Sequence, residues 1–530
     1  MTSSASSSAS SGRLAKAMRT GREHLRASEL EPIVVGALWA AMIAVPLFRS
    51  TYLPLIDWSN HLALIEMFRR ELLGEDLPCV QLGTIPGPYV LYYVLTAFVS
   101  TVLGSTLMGA KLVLGAAIWA LYPIGRYLGR VVRANPSLAV FAPLAAYGYG
   151  FGYGFVTFVF SLPVLLAAIA RLLDGAKASS VGRRRYAITA AVYATLVCSH
   201  GLSFLTFVSL AGLFAVVAAV RARSARPLIR VGLDLVPAMV LALGILAGRD
   251  RSKSAGFRWP ERFFSWRELE RLAWEWKYDL FDRGSESGRW LMSYLLVIFV
   301  VIAAVAIYQR LTERGRGTGD VAEGVGALAF VPGLYLFGLA MFGPETLFFP
   351  MEVWRAFNRF ATTGVSLLFL VLPLRLGRWG RPVLLASALL AEGHYAWELD
   401  RHMHAFDEEV RGYDEVRALV GAPSSVVGYS EWHALPVRAR HEAMTGLYFY
   451  HMLDGAEYCA FTFTIDLYPI VRTPECRVQR QGFPPNLAGP PETLHEVIVV
   501  RGQGMERKMD TADAYRKVGS ASGWTVYRQK

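Results

Sequence analysis

The chain has 530 residues, 54% of them hydrophobic and 18% charged, with positive mean hydropathy. That balance excludes an ordinary water-soluble globular protein and indicates a polytopic membrane protein. The net charge of +12 would suggest nucleic acid in a soluble chain, but here the basic residues cluster between apolar runs; they read as topology signals, with no nucleic-acid partner.

Residues 1–30 form a Ser/Ala-rich and then basic tail (Arg13, Lys16, Arg19, Arg22, Arg26) that the positive-inside rule places in the cytoplasm. No small-residue cleavage site follows the first apolar run, so Glu31–Phe48 is expected as a retained first helix. Asp57-Trp58-Ser59-Asn60-His61 then opens a polar, helix-compatible stretch to Pro78. A helix there places Asp57 and His61 one turn apart on one face, with Ile65 and Phe68 behind them and Glu66 and Arg69 beside them. It is either a reaction centre where a membrane ends or a solvated interfacial helix whose His61 merely caps or pairs with Asp57.

Apolar runs follow at 86–104, 107–125, 137–150, 155–173, 186–199, 201–220, 231–248, 290–308, 325–343, 358–374 and 382–397. They are continuous rather than alternating, so helices crossing a hydrocarbon core of roughly 30 Å are expected, not a barrel. Basic clusters beside Arg126, Arg184, Arg223, Arg314 and Arg378 fit cytoplasmic connections only if one run does not cross. The segment 86–104, with Pro86, Pro88 and Tyr89/Tyr92/Tyr93, is expected to be that interfacial or re-entrant piece. The reading is thus an α-helical polytopic membrane protein of about eleven crossings plus that segment. Its N-terminus is cytoplasmic, its membrane domain covers 31–397, and its outer loops are 50–85 and 249–289. The second loop cuts against this scheme with ten Lys/Arg; an amphipathic helix at Phe263, Trp266, Leu269, Leu272, Trp276 and Leu280 lies either in the interface or on the protein.

From Glu398 the chain turns polar and Pro/Gly-punctuated. Residues 398–530 are expected as a small extracytoplasmic α/β domain, with β-rich runs at 425–430, 458–463, 497–501 and 524–528 and helical stretches at 402–420 and 438–453. Four cysteines occur (Cys79, Cys198, Cys459, Cys476) without metal-ligand spacing. Cys459 and Cys476 form a disulfide or remain two thiols.

On this topology several polar groups meet on the outer membrane face: Asp57 and His61, His200 at a helix turn, Glu345 and Glu352 in the 344–357 loop, and Arg355 with Arg359. An ionisable group at membrane depth is a functional candidate, although a lone turn histidine often only satisfies backbone carbonyls. Arg355 and Arg359 share a helical face and suit phosphate oxygens, or simply anchor a helix end. Arg249, Arg251, Lys253 and Arg258 form a second basic group that meets a lipid phosphate or the headgroup layer. The Gly/Tyr alternation Tyr147–Gly154 lacks the marks of a phosphate loop and suits a close-packed hairpin.

These features together resemble the GT-C type of integral-membrane glycosyltransferases: a basic tail, a first helix, an outer loop opening with an acid and a histidine, about a dozen apolar segments, and a C-terminal outer domain. The resemblance implies a polyprenyl-phosphate sugar donor, an unspecified acceptor, Asp57 as general base, His61 and His200 as positioning or proton-handling groups, and Arg355 and Arg359 as phosphate ligands. In that family the first outer loop often carries a DxD or Asp-Glu pair. Here Asp57 is followed by Trp58, Ser59 and Asn60, so a divalent metal is possible but not called for by the motif. The competing classes are a lipid or solute transporter or flippase, and a non-enzymatic scaffold whose outer domain binds a partner; transporters tend to show repeated halves, and none is seen.

Overall fold

The computed structural model describes residues 31–83, 87–177, 182–247, 257–258, 297–298, 300–309, 328–344, 346–347, 353–354, 356–377, 379–430, 444, 446–459, 469–472 and 495–530. The helices are α1 (Glu31–Arg49), α2 (Trp58–Leu72), α3 (Val90–Leu103), α4 (Thr106–Val132), the short turn α5 (Tyr149–Gly152), α6 (Val156–Lys177), α7 (Arg183–Ser199), α8 (Gly201–Ala222), α9 (Arg226–Ala247), α10 (Val300–Gln309), α11 (Val331–Phe342), α12 (Ala361–Leu370) and α13 (Gly380–Glu409). Among the described residues five of them, α1, α4, α6, α8 and α9, are long and apolar enough to cross a membrane. The expected helical membrane fold is present.

The two ends of the bundle are told apart by their ion pairs. Glu31 at the start of α1 meets Arg126 of α4 at 3.4 Å and Arg381 at the start of α13, so the basic ends of α4 and α13 share the end at which α1 begins. At the opposite end α3 opens with Tyr93 against His61, and α4 opens with the Thr106 hydroxyl on Glu66. Both partners lie on α2, five residues or about 8 Å apart along the helix. Segment 86–104 therefore starts and finishes at one end of the bundle. Its 14-residue helix α3, about 21 Å long, falls short of a core of roughly 30 Å.

The run expected at 137–150 is not one helix. It forms a buried 3₁₀ stretch, Pro136–Ala145, followed by the α5 turn, because Pro143 inside the run lacks the N–H that an α-helical ladder needs.

α13 continues across the 397/398 position and carries the chain out of the bundle. Beyond it, α14 (Tyr413–Val420), α15 (Gln503–Asp510) and strands β5 (Val426–Ser430), β7 (Val497–Arg501), β8 (Tyr515–Ala521) and β9 (Trp524–Gln529) build a small domain. Its sheet order is β5-β7-β9-β8, with β5 and β7 parallel and the other pairs antiparallel. Strand β7 reads Val-Ile-Val-Val and is buried along those four residues, as a central strand covered on both faces should be.

Two further sheets tie distant loops together. β1 (Val80–Leu82) pairs with β6 (Ile470–Arg472), and β2 (Phe257–Arg258) pairs with β3 (Thr346–Leu347), which pairs with β4 (Val353–Trp354). The cysteines correct one alternative: Cys459 is a buried free thiol and Cys198 is also free, whereas Cys79, just before β1, is disulfide-bonded. A Cys459–Cys476 bridge is excluded, since Cys459 lies inside the domain against Val426 with its thiol 3.7 Å from the Tyr448 carbonyl. Cys476 lies outside the described residues, as do the 263–280 stretch, residues 438–443 and 445, and residues 460–463; the described part of the expected 438–453 helix is a 3₁₀ stretch, Gly446–Asp454.

Candidate functional site

Asp57 is the N-cap of α2, half-buried, at the end of the loop that leaves α1. Helix α2 is not the solvated helix that its polar sequence allows. Its first eleven residues, Trp58 to Phe68, are buried, because α3 and α4 cover one side and a 3₁₀ stretch of the C-terminal region, Gly446–Asp454, covers another. A side chain at Gly446 would come within 2.6 Å of the Ser59 hydroxyl, so glycine permits this approach. Arg70 reaches the Ala456 carbonyl at 2.7 Å.

The same docking fixes the Asp57 loop from behind. The Tyr52 N–H donates to Asp407 at 2.7 Å, and the Tyr52 hydroxyl donates to Asp414 at 2.5 Å. Arg417 donates to Tyr52 and grips both Asp454 oxygens at 2.7 and 2.6 Å. Such a forked, partly shielded pair is geometrically specific.

In front, the Gly/Tyr segment meets the loop directly. The Asp57 N–H donates to the Tyr153 carbonyl at 2.9 Å. Gly154 has φ +76°, and a Cβ there would lie 2.8 Å from the Trp58 nitrogen and 2.9 Å from that of Asp57. Only glycine accommodates both the left-handed backbone and that contact. The expected hairpin is thus the wall against which Asp57 is set.

The wall leads to Arg359. The Tyr153 and Phe155 rings stack at 5.4 Å, and the Arg359 guanidinium lies 3.5 Å over Phe155. A cation held against an aromatic face in a dry setting is well stabilised, and Arg359 is only 8% exposed. Phe360 packs on Phe158 at 5.1 Å, Phe158 on His200 at 5.5 Å, and Tyr89 on His200 at 5.1 Å. Asp57, Arg359 and His200 are therefore joined by one chain of contacts.

His61 completes the group from α2. Its Nδ1 is 2.5 Å from the Tyr93 hydroxyl, and its ring lies against Tyr92. Full burial pushes its pKa down to about 3, since taking an imidazole out of water disfavours its charged form. At neutral pH His61 is uncharged.

The structure leaves part of the expected set undetermined. Glu345, Glu352 and Arg355 lie outside the described residues, and of Arg258 only the backbone is described. The three-stranded sheet nevertheless pairs the strand that contains Arg258 with β3, which in turn pairs with β4, the two strands that these residues flank in sequence. Among the described residues no group of three or more His, Cys, Asp or Glu is arranged to hold a metal ion. Asp57 with a neighbouring neutral imidazole is a poor match to the oxygen-rich set that a hard divalent cation takes. Sequence reasoning missed Tyr93, Tyr153, Phe155, Tyr52 and Arg417, whose roles depend on partners far along the chain.

Beneath this cluster lies an open apolar cavity of about 870 Å³, lined by residues that include Leu95, Val99, Ala116, Phe160, Pro163 and Val192 from α3, α4, α6 and α7. Phe160 is 5.6 Å from the Tyr92 ring, so the cavity begins one aromatic layer from His61.

No protein-family model and no curated protein matches the sequence. Solved structures do match in fold. A crystal structure of ArnT from Cupriavidus metallidurans bound to undecaprenyl phosphate aligns over 94% of this chain and 98% of its own, with 11% identity and a TM-score of 0.50. The apo state of the same protein aligns over the same shares at 11% identity with a TM-score of 0.45. An apo oligosaccharyltransferase from Archaeoglobus fulgidus aligns over 78% of this chain and 64% of its own, at 11% identity with a TM-score of 0.41. The chain is an integral membrane protein with the GT-C type of fold.

Proposed function

We propose that the protein is a membrane glycosyltransferase that moves a sugar from a polyprenyl-phosphate-linked donor to an acceptor hydroxyl at the extracytoplasmic face. The observation that carries this reading is the continuous contact from the Asp57 loop through Tyr153 and Phe155 to buried Arg359. A backbone bond at the acid and a buried cation on the same wall support their use in one reaction. The whole-length fold likeness to a protein bound to undecaprenyl phosphate supports the class of donor.

In this reading Asp57 takes the proton of the acceptor hydroxyl as its oxygen attacks the anomeric carbon. The bond from that carbon to the phosphate oxygen breaks with its electron pair, and the lipid phosphate departs with inversion at the sugar. Arg359, with Arg355, binds the phosphate charge that grows as the bond breaks. Glu345, Glu352 and Arg258 contribute to substrate binding from the loops that the three-stranded sheet gathers. His61, neutral and tied to Tyr93, acts as a positioning group. The donor's hydrocarbon chain lodges in the apolar cavity below. No step is assigned to a metal.

The test is transfer from a polyprenyl-phosphate sugar by the full chain in proteoliposomes, with binding of undecaprenyl phosphate measured alongside. Arg359→Ala is expected to weaken that binding about tenfold or more, the scale of a lost charge-assisted contact. Undiminished binding would remove Arg359 from the phosphate site.

The outer face is supported by the Cys79 disulfide, because such bonds persist in oxidising compartments. An impermeant maleimide added to intact cells should label Cys79→Ser-sensitive thiols only after reduction by an impermeant phosphine. Labelling confined to inverted vesicles would reverse the orientation.

A further inference from the structure

We propose that His200 is a neutral hydrogen-bond donor to the phosphate of the bound lipid, presenting Nε2–H beside Arg359, with its tautomer set by the first turn of α8. This rests on the transferase reading above.

His200 separates α7 from α8 and is the N-cap of α8. Its Nδ1 lies 3.1 Å from the Ser203 backbone nitrogen and 3.0 Å from the Ser203 hydroxyl. A backbone N–H can only donate, so Nδ1 must accept, and a neutral imidazole then carries its hydrogen on Nε2. The serine is itself braced: Ser161 donates to the Phe158 carbonyl at 2.7 Å and lies 2.8 Å from the Ser203 oxygen. Protonating Nδ1 would break the cap and add a second cation near Arg359, whose charge already bears on this ring. The ring edge away from Nδ1 is left for a ligand, its plane held by Tyr89 and Phe158. Nε2–H and the guanidinium together offer donors to an anionic phosphate, whereas neither serves as a base.

Two amide variants separate the cap from the donor. In His200→Asn the side-chain oxygen replaces Nδ1 as the cap, and nothing replaces Nε2–H. In His200→Gln an N–H reaches the Nε2 position while the cap weakens. Titrating the full-length protein with undecaprenyl phosphate in native mass spectrometry should show about tenfold weaker binding for His200→Asn with an unchanged thermal midpoint. His200→Gln should bind within about threefold of the unsubstituted protein with a lowered midpoint. Equal affinity for His200→Asn and the unsubstituted chain removes this inference alone. Loss of midpoint and affinity together in both variants makes His200 a structural cap and also overturns it. If the unsubstituted chain binds no polyprenyl phosphate, the transferase reading falls and this inference falls with it.

Discussion

Asp57→Asn should abolish sugar transfer while leaving insertion and folding intact. The expected loss is about 10²- to 10⁴-fold in rate, the usual contribution of a positioned general base, measured as turnover in proteoliposomes at matched protein content. Structure should survive because the backbone holds the position: the N–H donates to Tyr153 and the carbonyl accepts from His61. Asparagine keeps that backbone, its size and its helix-start preference, and removes the charge that a proton acceptor needs. Binding of undecaprenyl phosphate should be nearly unchanged, since the phosphate is assigned to the arginines. Transfer that continues at a tenth of the original rate or more would take Asp57 out of the mechanism and leave the fold assignment standing.

Gly154→Ala should disable the protein through a single added methyl group. The residue holds φ +76°, a region that costs an L-residue about 1–2 kcal/mol. Its new Cβ would also sit under 3 Å from two backbone nitrogens of the Asp57 loop. Backbone cannot rotate away as a side chain would, so the loop must shift. Because an acid displaced by about 1 Å can lose two orders of magnitude in rate, the expected result is an inserted protein with at least about tenfold less activity and a lower thermal midpoint. Gly175→Ala, where a Cβ meets open space, provides the control. Equal activity in the two variants would show that the hairpin does not set the position of Asp57.

Legibility differed from element to element. Spanning helices such as α6 and α8 could be read because a continuous apolar run is itself the physical requirement for crossing hydrocarbon. Segment 86–104 could be singled out because counting basic clusters demands one non-crossing run, and its tyrosines belong at an interface. Strands near 426, 497 and 524 followed from β-branched and aromatic content between turn residues. The 3₁₀ stretch at 136–145 was obscured because hydropathy does not distinguish a broken helix from a whole one, even though Pro143 inside the run carries the signal.

The proposed site was legible in its candidate polar members and opaque in the groups that pack around them. Asp57, His61, His200 and Arg359 stand out as rare polar groups at the ends of apolar runs. Tyr93, Phe155 and Arg417 do not, since a tyrosine near a membrane boundary or an arginine in a polar helix is ordinary. The cysteines make the same point: the sequence left Cys459 and Cys476 open between a disulfide and two thiols, and only the fold encloses Cys459 in a core where it bridges to no other cysteine.

The amino-acid order by itself determined the solvent each segment can tolerate, and through it the helical membrane fold, the small α/β fold that follows it and the few charged groups left at their border. That information is local, because transfer of a side chain from water to hydrocarbon depends on a few neighbours. Only the tertiary structure decided which of those groups meet. The contacts that set Asp57 against Tyr153, Arg417 against Tyr52 and Arg70 against Ala456 span up to 386 positions, and they arise from shape and hydrogen-bond complementarity between surfaces that exist only once the chain has folded.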